Sequence, residues 1–156
     1  MRILVVNSGS STLKLRVIED DDTVSESDDL PSIGVGTESG QVATIVERYG
    51  QVDAVGHRIV HGGTSFAGPV LIDQEVVQSL RELIDLAPLH QPKSLAALAA
   101  LNEAFPGTPA VASFDTAFHA GLPAAAATYA LPREWRERWG LRRFGFHGQF
   151  KCPGAT

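Results

Sequence analysis

The chain has 156 residues and a mass of 16.6 kDa, which fits one ordinary domain or a piece of a larger one. Hydrophobic residues make up 44% and charged residues 20%, a globular composition that argues against long disorder. The net charge of −5 disfavours nucleic acid as a partner. The single cysteine excludes an internal disulfide framework. No signal peptide and no bilayer-spanning apolar run is recognised, so these properties predict a soluble cytoplasmic protein without a membrane partner.

The first predicted elements form a β-hairpin. Residues 3–6 are an apolar run of strand length, and Thr12–Ile18 alternates apolar and polar side chains. Residues 7–11, between them, are small and polar and predict a turn. Residues 23–30 are compatible with a third strand.

Helices and strands alternate in the rest of the chain. Hydrophobic periodicity, capping residues and prolines define them. The predictions are a helix at 37–49, a strand at 54–60, a helix at 73–86 capped by Asp73, a helix at 94–105, a strand at 109–114 and a helix at 132–139. This order predicts an α/β fold, with a mixed sheet and flanking helices.

The loop in NSGSSTLK, residues 7–14, is the first candidate site. Small residues let backbone amides approach an anion, and hydroxyls and Lys14 add donors. The spacing of a Walker A loop is absent, and the segment lies between two strands instead of opening a helix. The alternative is an ordinary polar hairpin turn.

Two further motifs place an arginine and a histidine in strand-end or loop positions. In HRIVHGG, Arg58 stands near a strand end beside a flexible Gly-Gly pair, which suits bidentate capture of a carboxylate or phosphate. In APLHQP, two prolines stiffen the loop around His90. The alternatives are a surface arginine and a solvent-facing histidine in a helix connection.

The last two candidate motifs lie in the second half of the chain. In FDTAFH, Asp115 follows a predicted strand, and ligands of open α/β sheets gather at the carboxyl ends of strands. In RRFGFHG, glycines bracket Phe146 and His147 and expose the histidine. The alternatives are an N-cap aspartate and a turn with stacked aromatic rings.

The five motifs NSGSSTLK, HRIVHGG, APLHQP, FDTAFH and RRFGFHG, in this order, resemble the acetate kinase family, which includes propionate and butyrate kinases. The resemblance covers residues 1–148 and implies a ribonuclease-H-like lobe of the actin-like ATPase superfamily. It also implies Mg²⁺-dependent, reversible phosphoryl transfer from ATP to a short-chain carboxylate, which gives an acyl phosphate and ADP. Members of the family are usually homodimers.

The resemblance also implies roles for individual residues. Asp115, His147 and Arg58 match catalytic residues, and Arg58 also matches the residue that holds the carboxylate or phosphoryl group. The remaining matches are His90 near the transferred group, Val60, Leu89 and Phe146 in the acyl pocket, Ser10, Thr12 and Lys14 at the ATP phosphates, and Asn7 near the metal. Since a carboxylic acid titrates near ~4–5 and is ionised at pH 7, we expect Asp115 to organise Mg²⁺ waters or Arg58 instead of accepting a proton.

Residues 149–156 depart from the family's pattern, which continues with a Thr-Ser-His segment. The resemblance assigns the adenosine pocket and a second active-site arginine to a further half. The expectation is therefore an incomplete lobe over 1–148 with a divergent tail, and a fragment inactive on its own. The alternative is a non-enzymatic lobe that binds an anion or a partner chain.

Overall fold

A computed structural model describes residues 1–32 and 39–145. Its strands are β1 (Ile3–Ser8), β2 (Thr12–Ile18), β3 (Val24–Pro31), β4 (Ala54–Ile59), β5 (Val70–Leu71) and β6 (Ala110–Phe114). Its helices are α1 (Ser39–Tyr49), α2 (Gln74–Glu82), α3 (Gln91–Ala104), α4 (Ala124–Ala127) and α5 (Arg133–Trp139). Over this part of the chain the strands form one sheet in the order β3-β2-β1-β4-β6-β5. The predicted mixed sheet with flanking helices is confirmed.

The hairpin at the start of the chain is confirmed, with a shorter turn than expected. β1 and β2 are antiparallel, and Asn7 and Ser8 still pair with Lys14 and Leu13. The turn is closed by the Gly9 amide, which donates to the Thr12 carbonyl over 2.8 Å. The third strand is also present and lies at the edge of the sheet.

The helices α1, α2 and α3 cover one face of the sheet with an apolar core. Every second residue of β4 faces this core, so Val55, His57 and Ile59 are buried. The alternation places Arg58 on the opposite face, next to Asn7 of the neighbouring parallel strand. The sheet therefore separates a packed side from a side that carries polar groups.

Two predicted helix bounds were wrong, each for a local reason. α3 begins at Gln91, three residues before the expected start, because Pro92 occupies the first turn, where a missing amide costs nothing. α2 ends at Glu82 and is followed by a 3₁₀ turn at Ile84–Leu86. Its predicted N-cap is confirmed, since Asp73 accepts a 2.8 Å bond from the Val76 amide.

Within the described ranges, none of the helices has the length and apolar character needed to cross a bilayer.

Candidate active site

Three neighbouring parallel strands end at the same edge of the sheet, and polar side chains meet there. Asn7 and Arg58 are register partners on β1 and β4, and Asp115 directly follows β6. A cavity of about 690 Å³ opens at this edge. All the predicted site residues within 1–32 and 39–145 line it: Asn7, Ser10, Thr12, Lys14, Arg58, Val60, Leu89, His90 and Asp115. Phe146 and His147 lie outside the described residues.

The arginine of this site is held by two of its neighbours. Arg58 Nε donates to Asp115 Oδ1 over 3.0 Å, and its Nη2 donates to Asp115 Oδ2. Its Nη1 donates to Asn7 Oδ1 over 3.0 Å. The Asp115 side chain is fully buried, and that of Arg58 is 12% exposed. The two-pronged ion pair thus fixes the plane of a guanidinium that lines the cavity.

The short turn of the hairpin forms the polar rim of the cavity. Ser10, Thr12 and Lys14, which carry two hydroxyl groups and an ammonium group, line it. Lys14 Nζ lies 4.0 Å from Asp29 Oδ2, while Arg16 lies 2.6 Å from the other oxygen of that carboxylate. Because Arg16 holds this carboxylate more closely, the lysine is only weakly neutralised.

An apolar wall closes the other side of the cavity. Val60 extends β4, and the segment before α3 contributes Leu86, Ala87, Pro88 and Leu89. The side chain of Gln91 holds this segment in place. Its fully buried amide donates to the Leu80 carbonyl over 3.1 Å and to the His61 carbonyl over 3.4 Å. The cavity therefore has a cationic, hydrogen-bonding side and a short apolar side.

The Gly-Gly pair after β4 is packed, so the expectation of a flexible segment was wrong. Gly62 and Gly63 are buried, and the Gly62 amide donates to Thr116 Oγ1 over 2.9 Å. Gly63 has φ 63°, a left-handed value that favours glycine. These contacts anchor the end of β4 against the segment that follows β6.

Replacing Gly62 with alanine is expected to lower the free energy of unfolding by about 1–3 kcal/mol. The new Cβ would stand 2.8 Å from the Phe114 ring, which is itself buried in the core. Chemical unfolding of the variant measures the change. Gly68→Ala is the matched control, because its Cβ would meet nothing within 4 Å. Equal stability of the two variants would contradict the close packing.

Two histidines of the second motif are buried instead of facing the site. Burial lowers the pKa of His57 to about 4 and also lowers the pKa of His61. His61 Nδ1 accepts a 2.9 Å bond from the Gly63 amide. The His61 ring meets Phe144 edge to face at 4.6 Å. We therefore assign these two neutral histidines a structural role. The ring contact also joins the motif HRIVHGG to Phe144 of the motif RRFGFHG.

The described residues do not by themselves form a metal site. Within 1–32 and 39–145, no three histidine, cysteine or acidic side chains lie close enough to hold an ion. Asn7 Oδ1 accepts from Arg58, and both oxygens of Asp115 are paired with the same guanidinium. Mg²⁺ usually keeps several waters and is bound largely through substrate phosphates. A nucleotide would therefore have to bring most of the ligands of such an ion.

Sequence patterns missed part of the site's support. Leu86 was assigned to the end of a helix, yet it lines the cavity. Gln91 was assigned to a loop, and nothing in the sequence distinguishes its buried amide from an exposed one. The predicted loop around His90 is shorter than expected, because Pro92 lies in the first turn of α3, but His90 does line the cavity.

The fold and this site define a partial ribonuclease-H-like lobe of the actin-like ATPase type, the fold of the solved acetate kinases that it resembles. It superposes on an acetate kinase from Porphyromonas gingivalis with a TM-score of 0.80 at 32% identity, covering 94% of this chain and 45% of that one. A propionate kinase from Francisella tularensis gives a TM-score of 0.81 at 30% identity, with the same coverage.

Sequence comparison identifies the family. The model of the acetokinase family matches residues 37–151, and the chain therefore belongs to that family. An acetate kinase from Halothermothrix orenii is 39% identical over 95% of this chain and 46% of its own length. One from Bacillus mycoides is 50% identical over 72% of this chain and 27% of its own length. The chain thus spans at most about half the length of these curated relatives.

Proposed function

We propose that this lobe supplies the acyl-phosphate side of the active site of a kinase acting on acetate or propionate. A carboxylate oxygen of the substrate attacks the γ-phosphorus of ATP, and the bond to the leaving oxygen of ADP breaks. A divalent ion, expected to be Mg²⁺, accompanies the nucleotide. The lobe is assigned to residues 1–148. A cytoplasmic location and a homodimeric assembly belong to the same proposal.

The observation that carries the proposal is the two-sided cavity. A short-chain carboxylate or acyl phosphate has an anionic head and an apolar tail of one or two carbons. Arg58 offers donors to the head, and Val60 and Leu89 line the cavity on the apolar side. The names of the relatives, acetate and propionate kinase, point to the same substrate class.

The proposed division of labour follows from the contacts. Arg58 orients the carboxylate and meets negative charge on the transferring phosphoryl group. Asp115 positions Arg58 and accepts no proton, since the attacking carboxylate is already ionised at pH 7. Ser10, Thr12 and Lys14 bind the phosphates of ATP. His90 and His147 stand near the transferring group, with Phe146 in the acyl pocket, and Asn7 near the metal.

The direct test is to measure the binding of acetyl phosphate to this chain by calorimetry. We expect binding to be lost in Arg58→Lys, because lysine keeps the positive charge but lacks the planar guanidinium with its paired N–H donors. Arg81→Lys is the matched control, because Arg81 lies on α2 beside a separate cavity. Equal affinity in the wild type and Arg58→Lys, or no binding by the wild type, would contradict the proposed site.

A second arm measures turnover with ATP, Mg²⁺ and acetate. The described residues bring one arginine, Arg58, to the cavity, whereas phosphoryl transfer spreads charge over three equatorial oxygens. We therefore expect acetyl phosphate to bind without detectable turnover by this chain. A chimera that carries residues 1–148 in place of the matching part of the H. orenii enzyme is expected to be active. An inactive, folded chimera would favour the non-enzymatic alternative.

A further inference from the structure

A lysine that the sequence analysis did not single out reaches the turn of the hairpin. Lys93 lies in the first turn of α3, and its ammonium donates to the Ser10 carbonyl and, over 3.3 Å, to Ser32 Oγ. Both acceptors are uncharged oxygens. Ser10 itself lines the cavity. The contact therefore links α3 to the polar rim of the site.

The carbonyl groups of Ser10, Ser11 and Thr12 are engaged. The Ser10 carbonyl also accepts from Ser32 Oγ over 3.3 Å, and the Ser11 carbonyl accepts from the Ser32 amide over 3.0 Å. The Thr12 carbonyl accepts from Gly9 over 2.8 Å. These bonds fix the orientation of the successive peptide planes.

A fixed carbonyl also fixes the amide of the same peptide. In a planar trans peptide the C=O and N–H bonds point in opposite directions, so the Ser11 amide points away from the Lys93 ammonium. An amide held in this orientation can donate to an anion, whereas a flipped peptide would present its carbonyl oxygen instead. The ammonium of Lys93 favours the first orientation over the second.

We propose that Lys93 is a positioning residue for phosphate binding, acting through the Ser10–Ser11 peptide. It holds the turn so that amide and hydroxyl donors face a phosphate group in the cavity. The inference rests on the proposed function, because it assumes that this cavity takes phosphate. It differs from the proposed role of Lys14, which is itself one of the residues that line the cavity.

The test uses the 156-residue chain and inorganic pyrophosphate as the probe. Calorimetry gives the affinity. Amide hydrogen exchange of Ser32 in the ligand-free protein measures how firmly the turn is held, because this amide donates to the Ser11 carbonyl. We expect Lys93→Met to weaken pyrophosphate binding about tenfold and to accelerate Ser32 exchange. Lys93→Arg, which keeps the charged donor, is expected to stay within about threefold of the wild type in both measurements.

Lys14→Met is the matched control for loss of charge. It is expected to weaken binding while Ser32 exchange stays at the wild-type rate. If Lys93→Met weakens binding without altering exchange, Lys93 acts through its charge alone, and the positioning role is wrong. If the wild type binds and Lys93→Met binds equally well, this inference fails while the proposed function stands.

Two further outcomes are decisive. No pyrophosphate binding by the wild type would overturn the proposed anion site and this inference with it. If Lys93→Met does not fold, Lys93→Gln replaces it, since it removes the ammonium that donates to the Ser10 carbonyl. Unchanged pyrophosphate affinity in Lys93→Gln would then overturn the positioning role, and weaker binding with faster Ser32 exchange would support it.

Discussion

Replacing Arg58 with alanine is expected to lower the free energy of unfolding of this chain by about 3–5 kcal/mol. The physical reason is the Asp115 carboxylate, which is fully buried and accepts two bonds from the guanidinium. Without the guanidinium, the Asp115 carboxylate would stay buried without this cationic partner. The hydration it lost on folding would then not be compensated. Since small domains are stable by only ~5–15 kcal/mol, this single change removes a large part of the total.

Urea unfolding followed by circular dichroism measures the effect. The double variant Arg58→Met with Asp115→Leu removes both charges and is expected to be more stable than Arg58→Ala, because no charge remains buried. Arg81→Ala, on the exposed side of α2, should change stability by less than about 0.5 kcal/mol. A loss below about 1 kcal/mol in Arg58→Ala would show that the ion pair is not a structural element.

Acidification from pH 6.5 to pH 4 is expected to remove about 3 kcal/mol of stability through His57 alone. The side chain is buried in the core, and desolvation lowers its pKa from 6.5 to about 4. Between these two values the unfolded chain binds a proton that the folded chain does not. Stability is therefore complete above pH 6.5 and falls as the pH decreases towards 4.

Urea unfolding at several pH values tests the assignment. His57→Leu should flatten this part of the pH profile, whatever it does to stability at pH 7. Val55→Ala is the control, because Val55 faces the same core from the same strand. It should lower stability by a similar amount at every pH. A His57→Leu profile as steep as that of the wild type would assign the acid sensitivity to other groups.

Local sequence signals predicted most of the fold, and their limits are instructive. Alternation located β2 and the burial side of β4, and Asp73 located the start of α2 because its side chain can cap a helix. β5 was missed because two residues paired to β6 carry no periodicity. Gly62 and Gly63 were mistaken for a flexible segment because their packing against Phe114 and Leu83 depends on distant parts of the chain.

The candidate site was predictable as a set of residues and less so as an arrangement. The resemblance carried by the ordered motifs predicted Arg58 and Asp115 as site residues, and both line one cavity. The expectation that Asp115 organises Arg58 agrees with their ion pair, although its catalytic role stays a prediction. The contact of Lys93 with Ser10 joins residues 83 positions apart. No local pattern encodes such a contact, because it depends on how α3 docks beside the hairpin.

The two walls of the cavity differ in how freely they can be redesigned. Arg58 and Asp115 form a buried ion pair, so we expect a change at one position to cost stability unless the other changes with it. Leu89 is different, since 73% of its surface is exposed and it lies outside the buried core. Its size can be altered with little effect on folding. Under the proposed function, a library varied at this position would test acyl-chain preference without changing the Arg58 side of the cavity.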